Sequence, residues 1–393
     1  MPKNSSDFVW IAESLRTPIG SSFKSLSTFS AAQLGGIVIK ELLSKNKIKK
    51  DLIGEVIFGN TVSAGAGQNI ARQAAILGGL SVSVPAYSVN SVCGSGLQSI
   101  ISATQAILSG DADCLIAGGA ESSSQCPFIV RKNDKGQQGH DHYLDSLIHD
   151  GLLCQIIGKH MGELAESLAE QYKITREEQD QYSFESHQKA GRAQEEKKFK
   201  DEIISVCVRE GQTCSGDERP RSNISVELLK NLPAAFIKGG TVTAGNSSIP
   251  SDGAAAVLLA SSVALKKNKI KPQARILGYA SVAVEPQLVF TAAIPAIKEC
   301  LKKCKLALKD VDLFEISEAF AVQALFTQRE LKIPSEKINI FGGDIALGHP
   351  LGAAGTRILV TLIHALQNQK KKRGLACVCL GGGGAVAVAL EVV

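Results

Sequence analysis

An α/β fold assembled from two copies of one β/α unit is what this sequence predicts, and three observations carry the prediction. The order strand, helix, strand, small-residue loop, buried helix, strand and glycine cluster occurs twice. Cys93 and His349 occupy matching places in the two copies, each three residues before a glycine (Gly96 and Gly352) that precedes an apolar helix. At 393 residues the chain exceeds what one core supports, while 44% hydrophobic and 21% charged residues are ordinary for a globular protein.

In the first copy, Phe8 to Ala12 reads as a buried strand ending in the polar turn Arg16-Thr-Pro-Ile-Gly20. Ala31 to Ser44 is helical, with Leu34, Ile37, Val38, Leu42 and Leu43 on one stripe. Glu55 to Gly59 is a strand, and a β-rich run from Val82 to Val89 leads into Asn90-Ser-Val-Cys93-Gly-Ser-Gly96. Leu97 to Leu108 is an apolar helix, and Cys114 to Ala117 is a buried strand closing on Gly118-Gly119. The second copy repeats this with the strand Arg275 to Val284, the helix Pro295 to Lys305 and the strand Phe314 to Ser317. A loop carrying His349, the helix Thr356 to Leu366 and the strand Leu375 to Leu380 complete it, closing on Gly381 to Gly384.

Between the copies, Glu121 to Lys238 is more polar and holds five of the seven histidines: His140, His142, His149, His160 and His187. Thr175-Arg-Glu-Glu178 is a capping box opening a helix toward Lys198. The expected division is 1–120 completed by 247–271, an inserted, mostly helical segment 121–246, and 272–393. Asn133 to Asp145 is the expected mobile loop.

The net charge of +5 is small and dispersed, which argues against nucleic acid and suits an anionic small substrate. Ten cysteines without a paired C-x2-C module argue against zinc and for a reducing compartment. Met1 to Asp7 lacks the apolar core of a signal peptide, so a cytoplasmic protein is expected. The apolar stretch Gly374 to Val393 suits a buried strand pair better than a membrane anchor, because four consecutive glycines and Glu391 interrupt it.

Loops at the carboxyl ends of strands share a crevice in such sheets. Cys93, the Ser317-Glu318-Ala319-Phe320 turn, His349 and Cys379 are therefore expected to meet. A thiol at a helix N-terminus is favoured as thiolate, and a nearby histidine completes an activated nucleophile. Gly94 and Gly96 would let a substrate carbonyl approach the sulfur, and glycine amides beside Cys379 would hold an oxyanion. Plainer roles compete: Cys93 as a small turn residue, His349 as a helix cap, Cys379 as strand packing, Glu318 as a helix-start carboxylate, His160 as a loop histidine. Placement on matching loops of a duplicated fold favours the chemical reading.

These motifs, in this order, resemble the thiolase family, specifically the acetyl-CoA C-acyltransferases, over essentially the whole chain. They are Arg16-Thr-Pro-Ile-Gly20, Asn90-Ser-Val-Cys-Gly-Ser-Gly-Leu-Gln98, Ala117-Gly-Gly-Ala-Glu-Ser122 and His160-Met-Gly162. Thr241-Val-Thr-Ala-Gly-Asn246, Asp252-Gly-Ala-Ala-Ala256, Ala346-Leu-Gly-His-Pro350 and Cys379-Leu-Gly-Gly-Gly383 continue the series. The resemblance implies βαβαβαββ halves stacked in five layers, an inserted loop domain over the substrate tunnel, and a homodimer or homotetramer. It implies acyl-CoA and CoA as substrates, with neither metal nor organic cofactor.

By the same resemblance Cys93 would take the acyl group with His349 assisting its deprotonation. Cys379 would move the proton of the α-carbon or of the CoA thiol. The amides of Cys93 and Gly381 would hold the oxyanion, and Ser248 matches a position contacting the pantetheine arm. His160, Ala244, Phe236 and Phe320 fall on the substrate side. The implied activity is reversible condensation of two acetyl-CoA, or thiolysis of short-chain 3-ketoacyl-CoA. The alternatives are a condensing enzyme of the same fold with another acyl donor, and a weakly active acyl-CoA-binding subunit.

Three places depart from the family pattern. Ser317 stands where the family carries an asparagine that positions a water of the enolate site; a hydroxyl can still bind water, but is shorter and lacks the amide's NH2 donors. Val289-Phe290 and Ala292-Ala293 replace the usual Met-Gly and Gly-Pro at the acyl pocket. Asp344 stands where alanine is common.

Overall fold

The computed structural model describes residues 8–45, 48–132, 136 and 143–393. The first half of the chain contributes β1 (Val9–Arg16), α1 (Ala31–Lys45), β2 (Glu55–Gly59), α2 (Ile70–Leu77), β3 (Ala86–Val89), α3 (Ser95–Ser109) and β4 (Cys114–Ser122). Then follow α4 (Met161–Tyr172), α5 (Arg176–Glu195), β5 (Ser251–Ser261), β6 (Ala274–Ala283) and α6 (Ala293–Cys304). The chain closes with β7 (Leu313–Ile316), α7 (Ala321–Leu331), α8 (Leu351–Asn368), β8 (Arg373–Leu380) and β9 (Gly384–Val392). Most of the loop expected to be mobile, 133–145, lies outside the described residues, with His140 and His142.

The strands run in the order β7-β8-β9-β6-β1-β5-β4-β2-β3, with Gly20–Ser21 paired to β5. The pairings repeat on either side of a short seam, where β1 meets β6 through Trp10↔Arg275 and Ile11↔Ala274. On one side β2 is parallel to β4, β4 antiparallel to β5, and β5 antiparallel to β1. On the other β7 is parallel to β8, β8 antiparallel to β9, and β9 antiparallel to β6. The edge strand β3 has a vestige opposite it, the single bridge Phe314↔Ile338. The apolar C-terminus is the strand pair β8–β9, buried along nearly its whole length. Among the described residues no helix is long and apolar enough to cross a membrane.

Helices α3 and α8 lie between the halves: α3 touches β2, β4 and β9, and α8 touches β4, β5, β7 and β8. With α1 and α2 on one outer face and α6 on the other, this makes five layers. Residues 351–366 of α8 are all buried, and Ile358, Leu359, Leu362 and Ile363 each contribute about 1.5–3 kcal/mol by leaving water. Glycine lets the two central helices meet main chain to main chain. A Cβ on Gly96 would stand 2.7 Å from the Thr356 amide nitrogen, and one on Gly355 2.6 Å from that of Leu97.

Two boundaries differ from the sequence reading. The run beginning at Val82 is a strand only from Ala86; Val84 N donates to Ser81 O in a turn (3.0 Å) and Val82 is exposed. Pro85 has no N–H for a ladder, so the strand starts after it. The apolar helices begin two and five residues earlier than the expected starts Leu97 and Thr356, because the small residues Ser95-Gly96 and Gly352 to Gly355 are already helical.

The inserted segment carries α4 and α5, each opened by a reciprocal capping box, His160 with Glu163 and Thr175 with Glu178. Arg16, at the end of β1, is fully buried and forks between Glu202 (2.6 Å) and Asp217 (2.7 Å). Those charge-assisted bonds fasten the segment to the first half.

Candidate active site

The amino ends of α3 and α8 open onto one cavity of about 260 Å³. Cys93, His349, Cys379 and Gly381 border it, as do Ser248, His160, Phe236 and Phe320. Met161, Ile148 and Leu152 of the inserted segment, with Val289 and Phe290, complete an apolar wall that only its last two members had suggested in the sequence. A larger surface cleft of about 490 Å³, among Lys189, Lys337, Lys371, Asp312 and Glu336, holds no nucleophile.

Cys93 is half-buried and follows a strained residue. Val92 has φ 49°, a left-handed conformation that a β-branched side chain resists at a cost of about 1–3 kcal/mol. Polar neighbours hold it there. Val92 N donates to Asn90 Oδ1 (3.0 Å), and Val92 O accepts from Thr61 Oγ1 (3.0 Å) and Ser95 Oγ (2.6 Å). Gly94 and Gly96 serve another purpose than the one expected. A Cβ on Gly94 would stand 2.7 Å from Leu380 Cδ2, and Gly96 lies against α8, so both glycines admit the opposite half of the protein.

His349 is buried and threaded between main-chain partners: its N–H donates to Ile249 O (3.0 Å) and its carbonyl accepts from Ser251 N (3.2 Å). Its Nδ1 lies 3.2 Å from Asp344 Oδ2, and Nε2 makes no hydrogen bond. Burial alone would lower the imidazole; the charges of Cys93 and Asp344 overcome it and push it up to about 10. Burial would raise Asp344, but the charges of Arg357 and His349 hold its carboxyl well below the usual range. Cys379 closes β8 beneath the cavity, and burial, then the charge of Cys93, keep its thiol well above the ordinary range.

The remaining expected residues divide. His160 stacks on Phe236 (5.0 Å between ring centroids, 23°), and Phe320 meets Phe236 (6.0 Å) and Phe290 (5.3 Å) edge-on. His160 Nδ1 accepts from Gly162 N (3.0 Å), so the histidine caps α4 and keeps its proton on Nε2; burial lowers its pKa. Ser248 is pinned by its amide on Ala319 O (3.0 Å). Ala244 lies on an exposed turn and does not border the cavity, because Glu166 draws the amides of Thr241 and Val242 inward (both 2.8 Å) and leaves 244 at the tip.

Ser317 does not border the cavity either. Its hydroxyl donates to Asp344. Glu318 is no helix-start carboxylate. It is buried under Tyr182 (2.9 Å), Ser186 (2.9 Å) and Asn339 (2.7 Å), tying α5 to the turn before α7. Burial raises its pKa. The strain at Val92 and the partners of Asp344 escaped sequence reading; only the unusual identity of residue 344 signalled the second.

Family models for the thiolase N-terminal and C-terminal domains match residues 9–263 and 270–392. A probable acetyl-CoA acyltransferase of Staphylococcus aureus is 46% identical over 388 residues, 98% of each chain. The Bacillus anthracis acetyl-CoA acetyltransferase superposes with a TM-score of 0.94 at 37% identity, covering 98% of this chain and 99% of that one. Human mitochondrial 3-ketoacyl-CoA thiolase in complex with CoA does so at 0.95 and 38% identity, covering 98% of each. With the duplicated sheet and the cavity between its central helices, these likenesses make the chain a member of the thiolase family.

Proposed function

We propose that the protein is an acyl-CoA C-acyltransferase working through an acyl-enzyme on Cys93, in reversible condensation of two acetyl-CoA or thiolysis of short-chain 3-ketoacyl-CoA. The observation that carries the reading is the meeting of Cys93, His349 and Cys379 on one apolar cavity. The Cys93 thiol gives its proton to His349 Nε2 as its sulfur attacks the thioester carbonyl of the first acyl-CoA, and takes it back when the condensed product leaves. The tetrahedral oxyanion lies between the amides of Cys93 and Gly381, and CoA leaves with the proton held by Cys379. Cys379, now a thiolate in a setting that disfavours its charge, is a strong enough base to take the α-proton of a second acetyl-CoA. His349 Nε2–H meets the enolate oxygen while the carbanion attacks the Cys93 thioester.

His160, Phe236 and Ser248 would flank the pantetheine arm, and Val289, Phe290 and Phe320 crowd the acyl end in favour of short chains. The reaction needs no group beyond these side chains and the CoA thioesters, and a cytoplasmic homodimer or homotetramer belongs to the same proposal. Acetoacetyl-CoA thiolysis with Cys93→Ala and Cys379→Ala tests it: both variants should lose activity, and full activity in either overturns the assignment. A series of 3-ketoacyl-CoA lengths should show the rate falling as the chain grows.

A further inference from the structure

We infer that Asp344 is a positioning residue of this site: together with Ser317 it fixes the ring of His349 with its proton on Nδ1 and turns Nε2 toward Cys93. The inference rests on the reading of Cys93 as nucleophile. Asp344 is completely buried. Its Oδ2 accepts from the Ser317 hydroxyl, from Glu318 N (3.1 Å) and from His349 Nδ1 (3.2 Å), and its Oδ1 from Arg357 Nη2. A carboxyl group whose neighbours are all donors is ionised. An ionised carboxylate on Nδ1 fixes a proton there and turns the opposite ring nitrogen, Nε2, into the one available to the reaction.

The surrounding charges decide whether Nε2 also keeps a proton. The amino end of α8 faces His349 and disfavours a cation. Arg357, from α8 itself, adds positive charge but is spent on Asp344 and, at 3.8 Å, on Glu315 of β7. Burial pushes Glu315 and Glu318 toward their neutral forms, and Cys379 of β8 keeps its proton. The negative partners left for the imidazole are Asp344 on one edge and the Cys93 sulfur, from the start of α3, on the other. A charged Nε2–H would then face the enolate oxygen as a full cation.

Two of the departures from the family pattern, Ser317 and Asp344, also account for each other. Ser317 is too short to reach the cavity, and its hydroxyl is committed to the carboxylate that residue 344 brings. The buried carboxylate does not border the cavity and acts on it only through His349.

The test is inactivation by iodoacetamide between pH 5 and 9, with kcat, KM for acetoacetyl-CoA and a thermal melt for each variant. Wild type should be inactivated faster than either single variant at pH 6.5. Asp344→Asn should react about tenfold more slowly at pH 6.5, the scale expected for losing a charge-assisted bond to a buried ion. Its kcat should drop about tenfold with KM within about twofold, a split that loosened packing would not give. Ser317→Ala should shift the profile the same way by about threefold. The double variant Ser317→Asn/Asp344→Ala should regain at least half of the kcat lost by Asp344→Ala alone.

A folded Asp344→Asn whose profile coincides with wild type overturns the inference. If that variant does not fold, wild-type profiles in both Ser317→Ala and the double variant overturn it. Failure of the underlying reading looks different: iodoacetamide would then inactivate wild type without modifying Cys93.

Discussion

The two loops that meet at the cavity come from equivalent places in a repeated fold, yet they are built on opposite principles. The Cys93 loop is half-buried, carries a strained main chain at Val92, and is held by hydroxyls and an amide without a charged side chain. The His349 loop sits deep in the second half and is governed by ions, with Asp344, Arg357 and Glu315 buried behind it. One copy of the unit brings a thiol held by backbone geometry; the other brings an imidazole held by ionic partners. Duplication gave the frame, and the two halves hold their cavity loops in it by different means.

Breaking either end should expose the difference. The largest effect is expected from Cys93→Ala, which removes the atom that forms the covalent bond and should reduce thiolysis at least about 10³-fold without loss of folding. Circular dichroism and turnover measured together check this. Next comes a pH effect confined to the charged loop. Folding raises His349 above its unfolded value, so the native state binds the extra proton between about 6.5 and about 10. That contribution is complete below pH 6.5 and is lost as pH rises through 10. Stability should therefore fall across the window by at most about 1.4 kcal/mol per pH unit. Urea titrations at several pH values should show the slope, and Cys93→Ala, lacking one of the two charges that raise the imidazole, should flatten it.

Gly96→Ala strikes the joint between the loops. Its methyl group meets the α8 main chain, and overpacking of about 1–3 kcal/mol should appear as a lower urea midpoint, with reduced activity. Val92→Gly should have the smallest effect on stability, within about 1 kcal/mol, because relief of strain offsets the lost side chain. It should still slow iodoacetamide attack on Cys93, since the loop loses its fixed aim. An unchanged alkylation rate would show that the strain is incidental.

Periodicity and order made the fold legible. The twofold repetition, the apolar helices 97–108 and 356–366 and the C-terminal strand pair all follow from patterns with strong physical causes. The cavity's reactive side chains were legible for the same reason, since matching loops converge. Ser317 was not: its identity says that a hydroxyl is present, but not that a carboxylate 27 residues later accepts its hydrogen bond. The glycines around Cys93 were misread because sequence shows that bulk is missing without showing what fills the gap. Here α8 and Leu380 do. Ala244 belongs to a motif, yet the motif's work is structural, closing a turn on Glu166.

The contact of Gly96 and Gly355 with the facing main chain works as a ruler. The halves share only a short stretch of sheet, so the separation of sulfur and imidazole is set where two helices touch through peptide groups. Peptide groups do not vary with side-chain identity. Residues such as Val289 and Phe290 are therefore free to reshape the cavity wall while Cys93 and His349 keep their spacing, and a lineage can change what the cavity admits without moving the pair that faces it.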